Sequence, residues 1–224
     1  MTMNDTKIVC LYDLTHTIAK DVMDSFTYPW EVLAHIEETI IQLGAKLPKE
    51  EYDARANHVW IHKSATVFPS AYLGKNVIVG KGAEVRHCAF VRENAIIGEY
   101  AVVGNSTELK NVILFDGVEV PHYNYVGDSI LGYKAHMGAG SITSNVRADK
   151  GLVKIHTEDG DLETGRMKVG AMLGDHAEIG CGSVLNPGTV IGRNSNVYPF
   201  SSVRCCVSSD SIYKNQCEIT EKIQ

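Results

Sequence analysis

The stretch IHKSATVFPSAYLGKNVIVGKGAEVRHCAFVRENAIIGEYAVVGNSTEL, residues 61 to 109, places an aliphatic residue at every sixth position without a miss. A small or apolar residue stands two positions before most of these aliphatic residues, so a period of two is nested within the period of six. Such alternation is typical of strands whose alternate side chains point inward. The positions are Ile61, Val67, Leu73, Val79, Val85, Val91, Ile97, Val103 and Leu109. The pattern predicts a parallel β-helix, in which stacked coils bury a continuous core that one coil cannot bury by itself.

The same spacing returns later in the chain, where six aliphatic residues lie six apart from Leu173 to Val203. Between the two blocks the step shortens to five, at 115–120 and again at 126–131. Residues 146–168 interrupt the repeat for longer than a corner requires, so we interpret them as an inserted loop. The sequence therefore predicts an all-β protein built on a parallel β-helix with one insertion.

Glycine often follows the inward aliphatic residue. The four such glycines in the first block are Gly74, Gly80, Gly98 and Gly104. A chain that turns a tight corner needs the freedom in φ that glycine has. We therefore predict that these glycines form the corners of the coils.

The sequence before the repeat is helical in character. Residues 29–43 carry apolar side chains at helical spacing, with Pro29 near the start and Gly44 after the end. We predict one amphipathic helix here, packed over the open end of the β-helix. The predicted organisation is an N-terminal helical segment over residues 1–57 that caps the β-helix, the β-helix over 58–206 with the insertion at 146–168, and a C-terminal tail over 207–224.

Composition excludes several classes of partner. The formal net charge is -6, whereas nucleic acids and anionic membranes select clustered excess lysine and arginine. The N-terminus lacks a basic stretch followed by an apolar run, and no apolar stretch is long enough to cross a bilayer. The six cysteines form no C-x-x-C pair and have no metal-ligand spacing. We expect a cytoplasmic protein with reduced thiols, without a nucleic-acid or membrane partner.

Cationic residues interrupt the repeat where glycine is common. Arg92 and Lys110 are 18 residues apart, which is one coil of three hexapeptides. The spacing predicts that they stack on the same edge about 4.8 Å apart. Two like charges at that distance repel unless an anion lies beside them. The pair is either a phosphate clamp or two solvated side chains that diverge into water.

The phase of the repeat slips at PHYNYVGDSILG, residues 121 to 132. The slip exposes His122 beside Tyr123, Asn124 and Tyr125. A histidine with an ordinary pKa near ~6.5 can act as a base at neutral pH, and a neighbouring tyrosine or asparagine can orient a substrate. A single histidine is more often a surface or structural residue, so this observation needs support from its context.

The insertion carries mixed charges. Its cations are Arg147, Lys150, Lys154, Arg166 and Lys168, against five carboxylates in the same segment. The insertion is either a flap that holds a phosphorylated cofactor or a solvated hairpin. The charge pattern does not distinguish these two interpretations.

Five ordered motifs carry a resemblance to a known family. They are GNSTELKN (104–111), PHYNYVGDSILG (121–132), MGAGSITSNVR (137–147), TGRMKVGAMLGD (164–175) and LNPGTVIG (185–192). In this order they resemble the acetyltransferase half of bifunctional sugar-1-phosphate nucleotidylyltransferase/acetyltransferases, which are left-handed hexapeptide-repeat enzymes. The stretch YPWEVL (28–33) resembles the helical linker of those proteins. The resemblance implies a left-handed parallel β-helix.

The resemblance also implies roles on the substrate side of a site. Arg92 and Lys110 match residues that bind the sugar phosphate, and His122 matches the general base. Tyr125 matches a tyrosine that contacts the sugar, and Glu108 matches an acidic residue of the family. The other substrate position is His136, which stands where the family often has asparagine, so one contact to the sugar or acetyl group is altered.

On the cofactor side, Asn145 matches a residue near the acetyl group of acetyl-CoA. Lys154 matches a loop lysine linked to activity, and we assign it with Lys168 to cofactor binding. The implied reaction is acetyl transfer from acetyl-CoA to the amine of an amino-sugar phosphate such as glucosamine-1-phosphate. An oxyanion donor is expected among the backbone amides of residues 137–140. The family implies no metal, and a homotrimer with sites between subunits.

Other functions are open on the same residues. The sequence has no glycine-rich G-x-G-x-R-M loop, so we expect no nucleotidyl transfer. One alternative is a catalytically inactive module that binds a sugar phosphate or sugar nucleotide. A second is a zinc hydrolyase of the γ-carbonic-anhydrase type, which the absence of an H-x4-H pair disfavours. The third, a purely structural role, does not explain why Arg92, Lys110 and His122 interrupt the repeat.

Overall fold

The computed structural model describes residues 1–214, and these form a stack of parallel coils preceded by short helices. The predicted all-β parallel β-helix of hexapeptide repeats, with a short N-terminal helical segment, is confirmed. The helices are α1 (Ile8–Leu11), α2 (Lys20–Met23), α3 (Pro29–Val32) and α4 (Ile36–Lys46), with 3-10 turns at Asn4–Thr6 and Leu14–His16. The strands are β1 (Tyr52–Arg55), β2 (Val59–His62), β3 (Thr66–Val67), β4 (Tyr72–Val79), β5 (Glu84–Val85), β6 (Phe90–Ile97), β7 (Val102–Asn105), β8 (Glu108–Leu114), β9 (Glu119–His122), β10 (Tyr125–Leu131), β11 (His136–Met137), β12 (Ile142–Thr143), β13 (Lys154–Thr157), β14 (Gly160–Glu163), β15 (Ala171–Leu173), β16 (Glu178–Ile179), β17 (Val184–Leu185), β18 (Thr189–Ile191), β19 (Asn196–Val197), β20 (Ser202–Val203), β21 (Cys206–Val207) and β22 (Ile212–Tyr213).

Each coil contributes a strand to each of three faces. The front face contains the first halves of β4, β6, β8 and β10, followed by β12, β17 and β20. The covered face contains β2, the second halves of the same four long strands, and then β15, β18 and β21. The back face is the eight-stranded sheet that runs from β3 to β22. The four long strands bend between the front and covered faces, where one residue of each has a positive φ.

The shortened steps of the repeat have a direct structural counterpart. The first coils advance by 18 residues, as in the pairing of Val59 with Val77. The next coils advance by 17, as in the pairing of Val112 with Ser129. The insertion then separates β10 from its next partner on the covered face, so that Ile130 pairs with Met172.

The covered face is apolar on its outer side as well as its inner side. Its outward residues Ile78, Ile96, Ile113, Ile130, Met172 and Val190 are at most 1% exposed. Helix α4 packs against β4 and β6, and α3 packs against β10. The hairpin of β13 and β14 packs against β18 and β21. The N-terminal segment therefore lies along the flank of the coils and covers the apolar outer stripe of this face. That it also caps the open end of the β-helix stays a prediction.

The N-terminal helix differs from its prediction in one respect. The single helix predicted over 29–43 is divided into α3 and α4. His35 leaves helical geometry with φ -112° and ψ 7°, and its ring stacks on Phe26 at a centroid distance of 5.4 Å. The side chain of Glu31 caps the start of α3 by accepting from the backbone N–H of Tyr28 at 2.8 Å.

The stacked strands end later than predicted. Strand β21 pairs with β18, and β22 pairs with β19, so the coil stacking continues to Tyr213. This overlaps the first part of the tail predicted over 207–224. Residues 215–224, the rest of that tail, lie outside the described residues.

The glycines after the inward aliphatic residues have a different role from the predicted one. Gly74, Gly80, Gly98 and Gly104 are not among the residues with positive φ. They are instead sites of close approach, since a Cβ on Gly74 would lie 1.9 Å from the carbonyl oxygen of Arg92 in the next coil. The corners themselves take positive φ at other residues, among them Asn94, Asn111, Gly117, Asp128 and Gly140 in the coils that carry the site.

The outer stripe of the covered face should contribute strongly to stability. Ile96 and Phe90 both point outward from β6, but Ile96 is buried under α4 whereas Phe90 is 42% exposed. Replacing Ile96 with alanine should lower the free energy of unfolding by about 2 to 4 kcal/mol, because it leaves a cavity under α4. The matched change Phe90→Ala should cost less than about 1 kcal/mol. Denaturant unfolding of both variants checks this. An equal loss of unfolding free energy in the two variants would contradict the burial of Ile96 under α4.

The thiol of Cys206 gives the fold a pH dependence. Burial, aided by Cys205, raises the pKa of the Cys206 thiol to about 12 from its usual 9.0. A raised pKa means that the folded state holds the proton more tightly than the unfolded state. The resulting stabilisation is complete below about pH 9 and is lost as pH rises toward about 12. As the pH rises from about 9 to about 12, the free energy of unfolding of Cys206→Ser should therefore fall less than that of the wild type.

Urea unfolding at a series of pH values measures the effect, with the exposed Cys88 providing a matched control. The Cys88→Ser protein should follow the wild type at every pH. A Cys206→Ser protein whose stability declines as steeply as the wild type would contradict the prediction.

Candidate active site

The polar residues of the front face gather around one buried carboxylate. Asp128 lies where β10 bends from the front face to the covered face, with φ 48°, and it is 2% exposed. Its Oδ1 accepts from Asn111 Nδ2 at 2.9 Å, and its Oδ2 accepts from Asn145 Nδ2 at 2.6 Å. Lys110 Nζ lies 3.4 Å from Oδ2. The three donors compensate the cost of burying the charge.

Lys110 and Arg92 do not stack as predicted. The register between β6 and β8 shifts between Val91 and Glu93, so that Glu93 and not Arg92 lies opposite Lys110. Arg92 donates to Glu108 at 2.9 Å, while Lys110 contacts Asp128. The bulge places the extra residue at Arg92. Each cation therefore has its own carboxylate, and the two do not lie opposite each other.

Tyr125 and Asn145 extend the cluster along the front face. Asn145 Nδ2 donates to the Tyr125 hydroxyl oxygen at 3.2 Å as well as to Asp128. Burial, and then the charge of Asp128, raise the pKa of the Tyr125 hydroxyl. The hydroxyl is consequently protonated at neutral pH and can donate a hydrogen bond. Three of the predicted site residues, Lys110, Tyr125 and Asn145, are thus brought together.

His122 lies at the other edge of the same short stretch, at the end of β9. Its side chain is exposed, and within residues 1–214 the imidazole makes no hydrogen bond to another side chain or to the backbone. The backbone N–H of His122 donates to Asn124 Oδ1 at 3.0 Å. Asn124 is buried and its Nδ2 donates to the carbonyl oxygens of Gly138 and Ser141. Asn124 therefore fixes the corner that carries His122 and does not face a substrate.

His136 lies on the back face, away from the cluster around Asp128. Its Nδ1 is 2.9 Å from Glu178 Oε2, and it pairs in register with Glu119 and Glu178. These residues border a shallow cavity of about 650 Å³ with Lys134 and His176. Within one chain, His136 does not join the other predicted site residues.

The insertion forms a hairpin, and two of its cations, Arg147 and Lys154, are paired with carboxylates. Lys154 Nζ lies 2.7 Å from Glu163 Oε1 across the two strands, and these contacts raise the pKa of Lys154. Arg147 is paired with Asp149. Arg147 and Lys154 line a cavity of about 620 Å³, which is also lined by His156 and Arg204.

Lys168 belongs to a second cavity, of about 520 Å³. This cavity lies between the bend of the coils and α4, and it is also lined by Lys110, Asp128 and Arg166. Arg166 Nε is buried without a hydrogen-bond partner in the described part of the chain. The two lysines assigned to cofactor binding, Lys154 and Lys168, thus lie in different cavities.

The corner at residues 137–140 has less free hydrogen-bonding capacity than expected. The N–H of Gly138 donates to the carbonyl of Ile179 at 2.7 Å, and the N–H of Gly140 donates to that of His122 at 3.0 Å. These two amides hold adjacent coils together. An oxyanion donor at this corner would have to be another amide.

Two further findings bear on the class of site. Across the described chain, no group of three or more His, Cys, Asp or Glu side chains is arranged to hold a metal ion. Among residues 1–214, no helix is long and apolar enough to span a membrane.

Sequence reasoning missed Asp128 and Asn111. Both lie within quoted motifs, but both stand at positions that the period of six assigns to neither the core nor a glycine corner. The sequence feature that could have revealed them is the pair of five-residue steps, which marks the 17-residue coils that contain both residues. Only the pairing of the strands brings them to the side of Lys110 and Asn145.

No family model matches the chain. The bifunctional sugar-1-phosphate nucleotidylyltransferase/acetyltransferase of Sulfurisphaera tokodaii is 33% identical over 111 residues, which cover 50% of this chain and 28% of that protein. The bifunctional protein GlmU of Methanococcus maripaludis is 32% identical over 195 residues, which cover 85% of this chain and 46% of that protein. The resemblance found in the motifs is confirmed, and it concerns the C-terminal part of these relatives. The chain spans less than half the length of either.

Solved structures with similar folds are more distant. The acetyltransferase domain of PglB from Neisseria gonorrhoeae, in complex with acetyl coenzyme A, is 19% identical with a TM-score of 0.35, over 69% of this chain and 53% of that one. A hexapeptide transferase family protein from Anaplasma phagocytophilum is 15% identical with a TM-score of 0.38, over 79% of this chain and 87% of that one. These scores are too low to support a functional argument.

Proposed function

We propose that this chain, a relative of part of the bifunctional nucleotidylyltransferase/acetyltransferases, is an acetyl-CoA-dependent N-acetyltransferase that acts on an amino-sugar phosphate such as glucosamine-1-phosphate. The observation that carries the proposal is the cluster of Lys110, Tyr125 and Asn145 around buried Asp128. His122 ends β9, three residues before Tyr125 begins β10. The name of the Sulfurisphaera tokodaii relative supports both the acetyl transfer and the sugar-1-phosphate.

The chemistry needs one base and good positioning. His122 takes a proton from the sugar amine as the amine nitrogen forms a bond to the thioester carbon. The carbon–sulfur bond then breaks, and CoA leaves as a thiolate that recovers the proton from the His122 imidazolium. The exposed imidazole, which no described side chain engages, is free to approach an incoming amine. Positioning of the two substrates supplies much of the remaining acceleration.

The substrate phosphate would bind near Lys110 and Arg92. Both cations lie on the front side of the bend, and Arg92 is 44% exposed in its side chain and accessible to an anion. Glu108 holds Arg92, and Tyr125 can donate to a sugar oxygen. His136 is on the back face, so it would contact the same substrate only if a neighbouring subunit brought the two faces together.

We propose a homotrimer with shared sites for the chain, the assembly that the family resemblance implies. Acetyl-CoA carries several negative charges on its phosphates, and the cavity bordered by Arg147, Lys154 and Arg204 offers complementary cations. Asn145 belongs to the Asp128 cluster, and its two sequence neighbours, Ser144 and Val146, line that cavity. We place the thioester end of acetyl-CoA near Asn145. A cytoplasmic location stays a prediction.

Acceptor specificity tests the proposed function. Turnover should be detected by mass spectrometry of the products, because Cys88, Cys181 and Cys205 are exposed and would react with thiol reagents. Glucosamine-1-phosphate should give a kcat/KM at least about 10-fold higher than glucosamine, since a charge-assisted hydrogen bond to the phosphate contributes about 1.5–3 kcal/mol. A panel of other amino-sugar phosphates and nucleotide amino sugars identifies the preferred acceptor.

Substitution of two lysines in matched positions distinguishes phosphate binding by Lys110 from a general effect of positive charge. Lys75 and Lys110 each lie in register with Glu93, one on either side of it. Lys110→Gln should raise KM for the sugar phosphate by about 10-fold or more, whereas Lys75→Gln should not change it. Binding of sugar phosphate without turnover for any acceptor would favour the inactive binding module instead.

A further inference from the structure

A ladder of hydrogen-bonded side chains runs along the bend between the front and covered faces. Its members occupy the same corner of five successive coils, and all have left-handed backbone with φ between 48° and 60°. They are His58, Asn76, Asn94, Asn111 and Asp128. Asn76 Nδ2 donates to Asn94 Oδ1 at 2.9 Å, Asn94 Nδ2 to Asn111 Oδ1 at 3.4 Å, and Asn111 Nδ2 to Asp128 Oδ1 at 2.9 Å. Asparagine and aspartate tolerate this backbone better than other side chains.

The ladder meets a carboxylate at each end of its asparagines: Asp128 accepts from Asn111 Nδ2 at 2.9 Å, and Glu37 Oε1 accepts from Asn76 Nδ2 at 3.1 Å. An ionised carboxylate only accepts hydrogen bonds, so Asn111 must present its Nδ2 to Asp128. Its Oδ1 is then turned back toward Asn94, and the same constraint passes to Asn76. At the far end, Asn76 Oδ1 is 3.2 Å from His58 Nδ1, which must donate. An asparagine in place of Asp128 could donate or accept, so the orientation of Asn111 would no longer be fixed from this end.

The same carboxylate fixes the groups that the candidate site presents. Asn145 Nδ2 donates to both Asp128 and Tyr125, so Asn145 Oδ1 is the part of that amide left to accept from a ligand. The Tyr125 oxygen accepts from Asn145, so its own hydrogen points elsewhere and can be donated. Lys110 is only 17% exposed in its side chain and is held against Asp128.

The charge at residue 128 needs an explanation that the ladder itself does not give. The three preceding coils hold the corner with a neutral asparagine, and a fourth asparagine would continue the same pattern at no cost in buried charge. Asp128 differs from those corners in its partners, because Lys110 and Asn145 both donate to it. The carboxylate at residue 128 is therefore explained by its contacts with Lys110 and Asn145 in the candidate site, and the stacking of the coils does not require it.

We propose that Asp128 is a positioning residue of the candidate site, acting through Lys110 and Asn145. It anchors the Lys110 ammonium and holds the Asn145 amide with its oxygen toward the ligand. The proposal rests on the proposed function for its catalytic consequence, while the anchoring of Lys110 is a property of the folded chain that holds in the absence of any substrate.

The first test needs no activity. Asp128→Asn keeps the shape of the side chain and removes its charge, and Asp116→Asn makes the same change at a half-buried carboxylate outside the cluster, which accepts from the Glu99 N–H. Each folded protein is treated briefly with an acetylating ester, and acetylation of Lys110 is measured by peptide mass spectrometry. Lys110 should react several-fold faster in Asp128→Asn than in the wild type or in Asp116→Asn. An unchanged rate at Lys110 in folded Asp128→Asn protein overturns the proposal, whether or not the chain turns over any substrate.

The second test uses turnover. Asp128→Asn should raise KM for the sugar phosphate by about 10-fold, and kcat should fall as well because Asn145 loses its fixed orientation. In a Lys110→Gln background the same substitution should change KM by less than about 2-fold, because its partner is already lost. Equal effects in both backgrounds would mean that Asp128 acts through general packing, and this would overturn the proposal. Absence of turnover in the wild type would overturn the proposed function, and the acetylation result would still decide whether Asp128 positions Lys110.

Discussion

Replacing His122 with alanine should lower kcat for acetyl transfer by about 10²- to 10⁴-fold, the range expected for loss of a general base. The imidazole is exposed, and its corner is held by Asn124 through backbone contacts that do not involve the ring. Truncation should therefore leave the fold and the binding of sugar phosphate nearly unchanged. The effect should appear in kcat, with KM within a few-fold of the wild-type value.

His87 provides the matched control for this experiment. The carbonyl of His87 accepts from Asn105 Nδ2 at 3.0 Å, and Asn105 is the register partner of His122 in β7 and β9. The two histidines thus stand in the same column of coils, and both are exposed. His87→Ala should retain wild-type kcat. Undiminished turnover in His122→Ala, or an equal loss in both variants, would contradict the assignment of the base.

Replacing Gly104 with alanine should prevent normal stacking of the coils. A Cβ on Gly104 would lie 1.6 Å from the Pro121 carbonyl oxygen and 2.0 Å from the Pro121 carbonyl carbon. Both atoms belong to the backbone of β9, so no side-chain rotation can relieve the overlap. We expect a loss of more than about 3 kcal/mol in the free energy of unfolding, or no folded protein at all. The strand that is pushed away ends at His122.

Gly140→Ala is the control that distinguishes the stability cost of a steric clash from the stability cost of backbone strain. Gly140 has φ +70°, but a Cβ there would meet no atom within 4 Å. Its substitution should cost about 1 to 2 kcal/mol, the strain of the left-handed conformation. Thermal or denaturant unfolding of the two variants compares them directly. A Gly104→Ala protein as stable as Gly140→Ala would show that the coils tolerate a side chain at the close approach.

The period of six was sufficient to predict the core of the β-helix. A single inward row of aliphatic residues needs no tertiary information, because the alternation of a strand fixes which side chains point inward. The same rule gave no reason to expect the second apolar row on the covered face. In the stretches VIV (77–79) and AII (95–97), the middle isoleucine points outward, and only packing of α4 reveals that it is buried.

Most residues of the candidate site could be predicted from the sequence, but the contacts between them could not. Polar residues that interrupt a regular repeat are visible without a structure, and this identified Lys110, His122 and Tyr125. Asn145 came from the family resemblance alone. The expected stacking of Arg92 on Lys110 failed because a one-residue bulge changes the register, and no periodicity predicts where a bulge falls. The period of six predicts neither the bulge at Arg92 nor the 17-residue coils, and this explains why Asp128 was overlooked.

The most direct test of the account is whether the purified chain makes an N-acetylated sugar phosphate. The protein is incubated with isotope-labelled acetyl-CoA and glucosamine-1-phosphate, and the product is identified by mass spectrometry beside the His122→Ala protein. The account predicts a labelled N-acetylated product that forms with multiple turnovers in the wild type and falls by about 10²-fold or more in the variant. A wild-type chain that binds the sugar phosphate and forms no acetylated product, with this acceptor or the wider panel, would contradict the account.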